Sequence, residues 1–254
     1  GEAAIPHHRP LDEAIGRRRR LDPVGAGQGR AGKGERGDRE PVPVGEHLVV
    51  GRRADTRAAA GEKPRAVVGN HDWAVIGLMD AEDFNHEARR GVLWTREKLT
   101  AESMAWLRSL PKDPIVEGDF TLTHGSPRDP VWEYILYPSV ASANLEHFAT
   151  PFCLVGHTHV PAVFTEEKDS RKMTLTRPRP GQAIPLSSGQ RAILNPGSVG
   201  QPRDSDARAA YAILDTERTT WLQRRVAYPI EVTQARMRAV GLPERLINRL
   251  DFGW

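Results

Sequence analysis

The chain has 254 residues, is 39% hydrophobic and 27% charged, and carries a formal net charge of +3. Its length allows one large domain or two small ones with a packed core, its composition is far from the disordered range, and its charge is too mild to predict nucleic acid as a partner. No run approaches 18 apolar residues, no apolar leader opens the sequence, and the single cysteine, Cys153, has no internal disulfide partner, so the expectation is a cytoplasmic protein without a membrane span.

Residues 1–64 stand apart from the rest. They hold 13 basic against 10 acidic residues, 11 of the 23 glycines, and no Phe, Trp or Tyr, whereas 65–254 are charge-neutral. A short helix fits 11–20, with acids early and arginines late as the helix dipole favours. The one strand-like run is 47–50. At Arg65 the composition changes, and the chain divides into an atypical Arg/Gly-rich segment, 1–64, and an α/β domain, 65–254. RAVV (65–68) reads as a buried strand ending in a Gly-Asn turn. Residues 84–110 read as helical with a break near Leu99, where Thr100 can cap a second helix. DFTLTHG (119–125) alternates as a strand running into a loop. Residues 132–148 read as a loop and one amphipathic helix, and FCLVG (152–156) as a continuous apolar strand. Strands follow at VFTEE, KMTLTRP and RAILN, with a Pro- and Ser-rich loop at 177–190. A hairpin crosses 216–219, and helices occupy 230–240 and 243–250. This order predicts two packed sheets flanked by helices.

Three strands end in residues with ligand chemistry. Gly69-Asn70-His71-Asp72 follows the first, His124 the second, and Gly156-His157-Thr158-His159 the third. Loops beyond strand ends are where α/β folds place ligands. Three imidazoles and a carboxamide oxygen make a plausible ligand set for Mn, Fe, Zn, Ni or Co. Each has a plainer reading by itself. His124 fits a capped loop residue, GNHD fits a turn, and an H-x-H triplet recurs by chance. The three in this order, each at a strand end, favour a metal site.

The series GNHD, THGSP, GHTH and LNPGSVGQPR resembles the calcineurin-like metallophosphoesterase superfamily, in its small single-domain bacterial and archaeal branch. WTREKL and SPRDPVWEY add to the likeness, which covers about residues 65–250. The resemblance implies a four-layer α/β/β/α sandwich, two divalent metals, most plausibly Mn, and hydrolysis of a small phosphorylated substrate by a bridging metal-bound hydroxide. It implies that Asn70, His124 and His157 hold the second metal and His159 the first. By the same resemblance His71 stabilises the phosphoryl oxygens or protonates the leaving group, Asp72 orients His71, and Gly69, Gly125 and Gly156 let the backbone approach the ions. Arg128 either assists the phosphate or forms a surface salt bridge. Substrate specificity is expected in loops 126–144 and 177–190.

The first quarter departs from this pattern. The family opens with a strand ending in Asp-x-His and a second ending in Gly-Asp, which supply the first metal's ligands and the bridging carboxylate. No Asp-x-His occurs in this sequence. His8 can align with the family histidine, but Pro6 takes the aspartate position, and Gly37-Asp38 lies in a flank too polar for a buried strand. Three readings of 1–64 compete: a misread or disordered stretch, a divergent segment that leaves an inactive or single-metal protein, and an Arg-rich polyanion-binding module. The function expected at family level is metal-dependent phosphoester hydrolysis, and the alternative is a pseudoenzyme of the same fold.

Overall fold

A computed structural model describes residues 48–50, 65–187 and 189–254. The expectations for a helix at 11–20 and for His8 and Asp38 as ligands lie outside the described residues. Among the described residues eleven short strands and six α-helices follow in order: β1 Leu48–Val50, β2 Arg65–Val67, α1 Asn70–Ile76, α2 His86–Lys98, α3 Ala101–Ser109, β3 Ile115–Glu117, β4 Phe120–Leu122, α4 Pro138–Ala143, β5 Phe152–Leu154, β6 Ala162–Glu166, β7 Met173–Thr176, β8 Ala183–Pro185, β9 Ala192–Asn195, β10 Ala209–Asp215, β11 Thr220–Val226, α5 Ile230–Ala239 and α6 Glu244–Phe252. They make a six-stranded sheet ordered β3-β4-β5-β9-β6-β7, a three-stranded sheet β10-β11-β8, and an antiparallel pair β1-β2.

The central strands of the large sheet are parallel: β4 pairs with β5 from Phe120↔Phe152 to Leu122↔Leu154, and β5 pairs with β9 from Phe152↔Ala192 to Leu154↔Leu194. Parallel strands need both faces covered, and the period-2 alternation divides the side chains accordingly. Phe152, Leu154, Val163, Ala192 and Leu194 face one way, into a core shared with Val67 and with Ile184, Leu186 and Trp221 of the small-sheet side. Cys153, Val155, Phe164 and Ile193 face the other way, onto Ile135, Ala141, Leu145 and Phe148 around α4. A third cluster, Ala74, Val75, Ile76, Val92 and Leu107, joins α1, α2 and α3. Two sheets enclosing one core with helices outside is the mixed α/β architecture expected.

Most elements match the sequence reading, and α2 and α3 break at Leu99 with Thr100 Oγ1 accepting from Ser103 N. Four details differ. Gly69-Asn70 is not a turn but the start of α1, because Asp72 at the third helical position accepts the Gly69 N–H at 2.8 Å and closes the helix N-terminus. The amphipathic helix within 132–148 shrinks to six residues, α4. β3 and β8 were not legible: both are three-residue strands, and β8 sits inside the Pro-rich loop, recruited by pairing of Ile184 with Trp221. Gly125 does make a close approach, but to the loop's own backbone: a Cβ there would lie 2.8 Å from the Asp129 carbonyl oxygen. No helix among the described residues is long and apolar enough to cross a membrane.

Candidate metal centre

Because β4, β5 and β9 run parallel, their carboxyl ends share one sheet edge, and that edge receives His124, the His157-Thr158-His159 turn and Asn195. Ladder-type bonds continue past the strand ends and fix the loops against each other: Thr123 N donates to Leu154 O at 3.0 Å and Gly156 N to His124 O at 2.9 Å. Asn70 reaches the same edge from the first residue of α1. His124, Asn70, His157 and His159 are all at least nine-tenths buried.

Three donor atoms converge. His124 Nε2 lies 3.1 Å from Asn70 Oδ1 and 2.9 Å from His157 Nδ1. Two donors at right angles on one ion, each about 2.1 Å from it, are separated by about 3 Å. Both atoms therefore lie from His124 Nε2 at the spacing of neighbouring donors in a coordination shell. Among the described residues no three His, Cys, Asp or Glu side chains form a cluster suited to a metal; the third polar atom beside His124 and His157 is the Asn70 carboxamide oxygen. Mixed imidazole and carboxamide donors suit a divalent ion of the Mn–Zn series.

Backbone carbonyls select the ring tautomers. His157 Nε2 lies 3.2 Å from the Trp132 carbonyl oxygen, and His159 Nδ1 lies 2.6 Å from that of Gln201. A carbonyl accepts only, so these nitrogens carry the protons, and His157 Nδ1 and His159 Nε2 are left as lone-pair donors. His159 is further held by Arg203 N donating to its carbonyl oxygen at 3.1 Å.

Both histidines of the turn have φ of 60°. Left-handed backbone is unfavourable for residues with a Cβ and persists only where the surroundings over-determine it. Asn195, fully buried at the end of β9, does this: its Nδ2 donates to Gly156 O at 2.7 Å and to Thr158 Oγ1 at 3.0 Å, while its Oδ1 accepts from Gly197 N at 2.9 Å. In this turn the two rings take different partners, His124 and Trp132 O for His157 and Gln201 O for His159.

The remaining sequence-predicted residues fall as follows. His71, half-buried, meets Phe84 edge-on with ring centroids 4.8 Å apart. Asp72 is buried, and one of its oxygens caps α1 through Gly69 N. Arg128 realises the salt-bridge reading: its guanidinium bonds Glu133, with the Arg128 side chain 43% exposed and that of Glu133 17%. Burial pushes the Glu133 carboxyl up, but hydrogen bonds from Arg128, Asn144 and Ser126 outweigh this and hold it below the ordinary value.

Sequence reasoning missed Asn195, Gln201 and two aromatic neighbours of His157. Asn195 and Gln201 lie within LNPGSVGQPR, a matched motif to which no role was attached. Tyr134 stacks on the His157 ring at 4.1 Å and 6°, and Trp132 meets it edge-on at 6.4 Å. Both lie in SPRDPVWEY, in which Arg128 is the residue whose charge suits a phosphate.

Residues 49–219 match the family model described as a calcineurin-like phosphoesterase superfamily domain. The match begins at Val49, inside the segment that composition sets apart. An uncharacterized protein of Methanocaldococcus jannaschii is 33% identical over 192 residues, which is 74% of this chain and 75% of that one. Among solved structures, a metallophosphoesterase from Sphaerobacter thermophilus superposes with a TM-score of 0.67 at 46% identity, covering 74% of this chain and 76% of the other. A hypothetical protein of Pyrococcus horikoshii OT3 shares the fold, with a TM-score of 0.59 at 21% identity over 75% of this chain and 73% of that one.

Proposed function

We propose, on the premise that the chain belongs to the calcineurin-like phosphoesterase superfamily, that it hydrolyses a small phosphate ester with the help of divalent metal held at the edge of its large sheet. The observation that carries this reading is the meeting of Asn70 Oδ1 and His157 Nδ1 at His124 Nε2, at 3.1 and 2.9 Å. These three residues would hold the second metal, and His159, through Nε2, the first. Bound there, divalent ions supply Lewis-acid polarisation of the phosphoryl oxygens and activation of water.

The chain's own residues do the rest. Trp132 O and Gln201 O keep the ligand rings in the donor tautomer. His71, at the start of α1 next to Asn70, would touch the phosphoryl group and hold or deliver the leaving-group proton, with Asp72 orienting it. Mn is the metal we expect, with Fe, Ni, Co and Zn as alternatives, and the cytoplasm the compartment. The substrate is a phosphomonoester or phosphodiester.

The absence of an Asp-x-His motif from the sequence favours a second reading, that the first site fills weakly and the chain works poorly or not at all. Both readings are tested by titrating the chain with Mn²⁺ while following hydrolysis of bis(p-nitrophenyl) phosphate. We expect one tightly held ion per chain, with turnover appearing only at higher Mn²⁺. Two tightly held ions would overturn the weak first site. One ion and no turnover at any Mn²⁺ level would establish the pseudoenzyme.

A further inference from the structure

Five aromatic rings run without a break through the candidate centre. His71 meets Phe84 at 4.8 Å, Phe84 meets Trp132 at 5.7 Å, Trp132 meets His157 at 6.4 Å, and Tyr134 stacks on His157 at 4.1 Å. The row thus joins the residue assigned to the phosphoryl group, His71, to a metal-ligand candidate, His157. Two of its members are open to water: Trp132 is 39% exposed and Tyr134 44%. Large aromatic surface left exposed beside a buried polar centre is costly in water and is the chemistry of a subsite.

The segment that carries these rings is built rigidly. Asp129 Oδ1 accepts from Trp132 N at 3.1 Å, and Gly125 N donates to Pro130 O at 2.7 Å. Glu133 is held by Arg128 and by Asn144 Nδ2, the latter at 2.7 Å. A platform fixed before binding loses little conformational entropy when a ligand lands on it. The ion pair with Glu133 also engages Arg128, the segment's one cation, so what the segment offers a ligand is ring faces.

We propose that Trp132 and Tyr134 form an aromatic ledge that selects phosphate esters whose alcohol carries a planar aromatic group, an aryl ring or a nucleobase. The proposal rests on the phosphoesterase reading for the placement of the phosphate. Centred on the Asn70–His124–His157 trio, the phosphoryl group sets its alcohol beside the ring row, where a planar group stacks. An aliphatic alcohol of equal size gains apolar burial there but no stacking.

The test uses non-hydrolysable ligands, so that affinity is read apart from turnover. Dissociation constants of benzylphosphonate and cyclohexylmethylphosphonate are measured by calorimetry on the Mn²⁺-loaded chain, and turnover of the two corresponding phosphate esters is followed in parallel. Stacking beyond area burial corresponds to a preference of about fivefold for the benzyl ligand. Trp132→Leu, which leaves Tyr134 alone on the ledge, should lower this preference, and Trp132→Phe, which restores a ring, should recover it. A second pair, the phosphonate isosteres of adenosine 5′-monophosphate and ribose 5-phosphate, separates the sources: a larger gain from adenine than from benzyl identifies a nucleobase, and a gain from benzyl alone an aryl group. No aromatic preference in the unsubstituted chain, or a preference unchanged in Trp132→Leu, overturns the ledge. Turnover of both esters without preference overturns the ledge alone. Preference without turnover supports the ledge and overturns the hydrolase reading. Failure of all four phosphonates to bind overturns both.

Discussion

Asn195→Ala removes the side chain that holds the turn of candidate ligands in its left-handed conformation, and its cost can be worked from the bonds. Three hydrogen bonds are lost at a fully buried site: those to Gly156 O, to Thr158 Oγ1 and from Gly197 N. A buried polar group left unmatched costs about 1–3 kcal/mol, and water entering the space restores part of it, so a net loss near 3 kcal/mol is expected. For a domain of this size that lowers Tm by roughly 6–12 °C. The second consequence is specific to the site. With nothing to over-determine φ of 60° at His157 and His159, each relaxes by about 1–2 kcal/mol toward ordinary backbone, which turns both rings away. Mn²⁺ affinity should therefore fall by about 10–100-fold, the range found when groups supporting metal ligands are removed. Thermal unfolding with and without Mn²⁺, and Mn²⁺ titration below the Tm, measure the two effects. Asn195→Asp is the control: it keeps the acceptor for Gly197 N and loses both donors, and should reproduce most of the affinity loss. If Asn195→Ala folds with Mn²⁺ affinity unchanged, the turn is held by something else and the reasoning fails.

Replacing His71 by Ala should lower turnover about 10²–10⁴-fold with metal content unchanged, the ordinary value of general acid help, whereas His157→Ala should lose metal and activity together; equal metal loss in both would make His71 a ligand. Arg128→Gln should change kcat/KM by less than about threefold, because the guanidinium is engaged with Glu133 and partly exposed ion pairs are weak; a tenfold rise in KM would restore the phosphate-binding reading. In acid, Glu166 should report first on the β6–β9 junction. Arg191 donates to both its oxygens at 3.1 Å and holds its carboxyl below the ordinary value of 4.5. The stability this supplies is fully present above that value and is lost as pH falls through the depressed one, so Tm should drop less steeply below about pH 4 in Glu166→Gln than in the unsubstituted chain; parallel curves would refute it.

The sequence by itself determined the elements with strong local patterns. FCLVG had to be a strand buried on both faces, since five consecutive apolar residues cannot alternate with solvent, and β5 is buried throughout. The break between α2 and α3 was legible because Thr100 is a good N-cap placed at the interruption. The candidate ligands were legible as well, because each follows an apolar strand and the loops beyond such strands gather at one edge. What only the tertiary structure decided is non-local. β8, three residues in a Pro-rich loop, exists because Trp221 and its neighbours offer a partner, and no local propensity marks it. GNHD reads as a turn until Asp72 is seen bonding Gly69 N and opening a helix. Arg128 reads both as a phosphate contact and as a surface ion pair, and only the fold shows Glu133 within reach of its guanidinium. The ring row beside the centre comes from residues at 71, 84, 132, 134 and 157, on four separate segments, and Asn195 meets the histidine turn across 38 residues of chain and one strand pairing. Contacts between distant segments depend on how sheets pack and loops close, and a reading of neighbours along the chain carries no term for them.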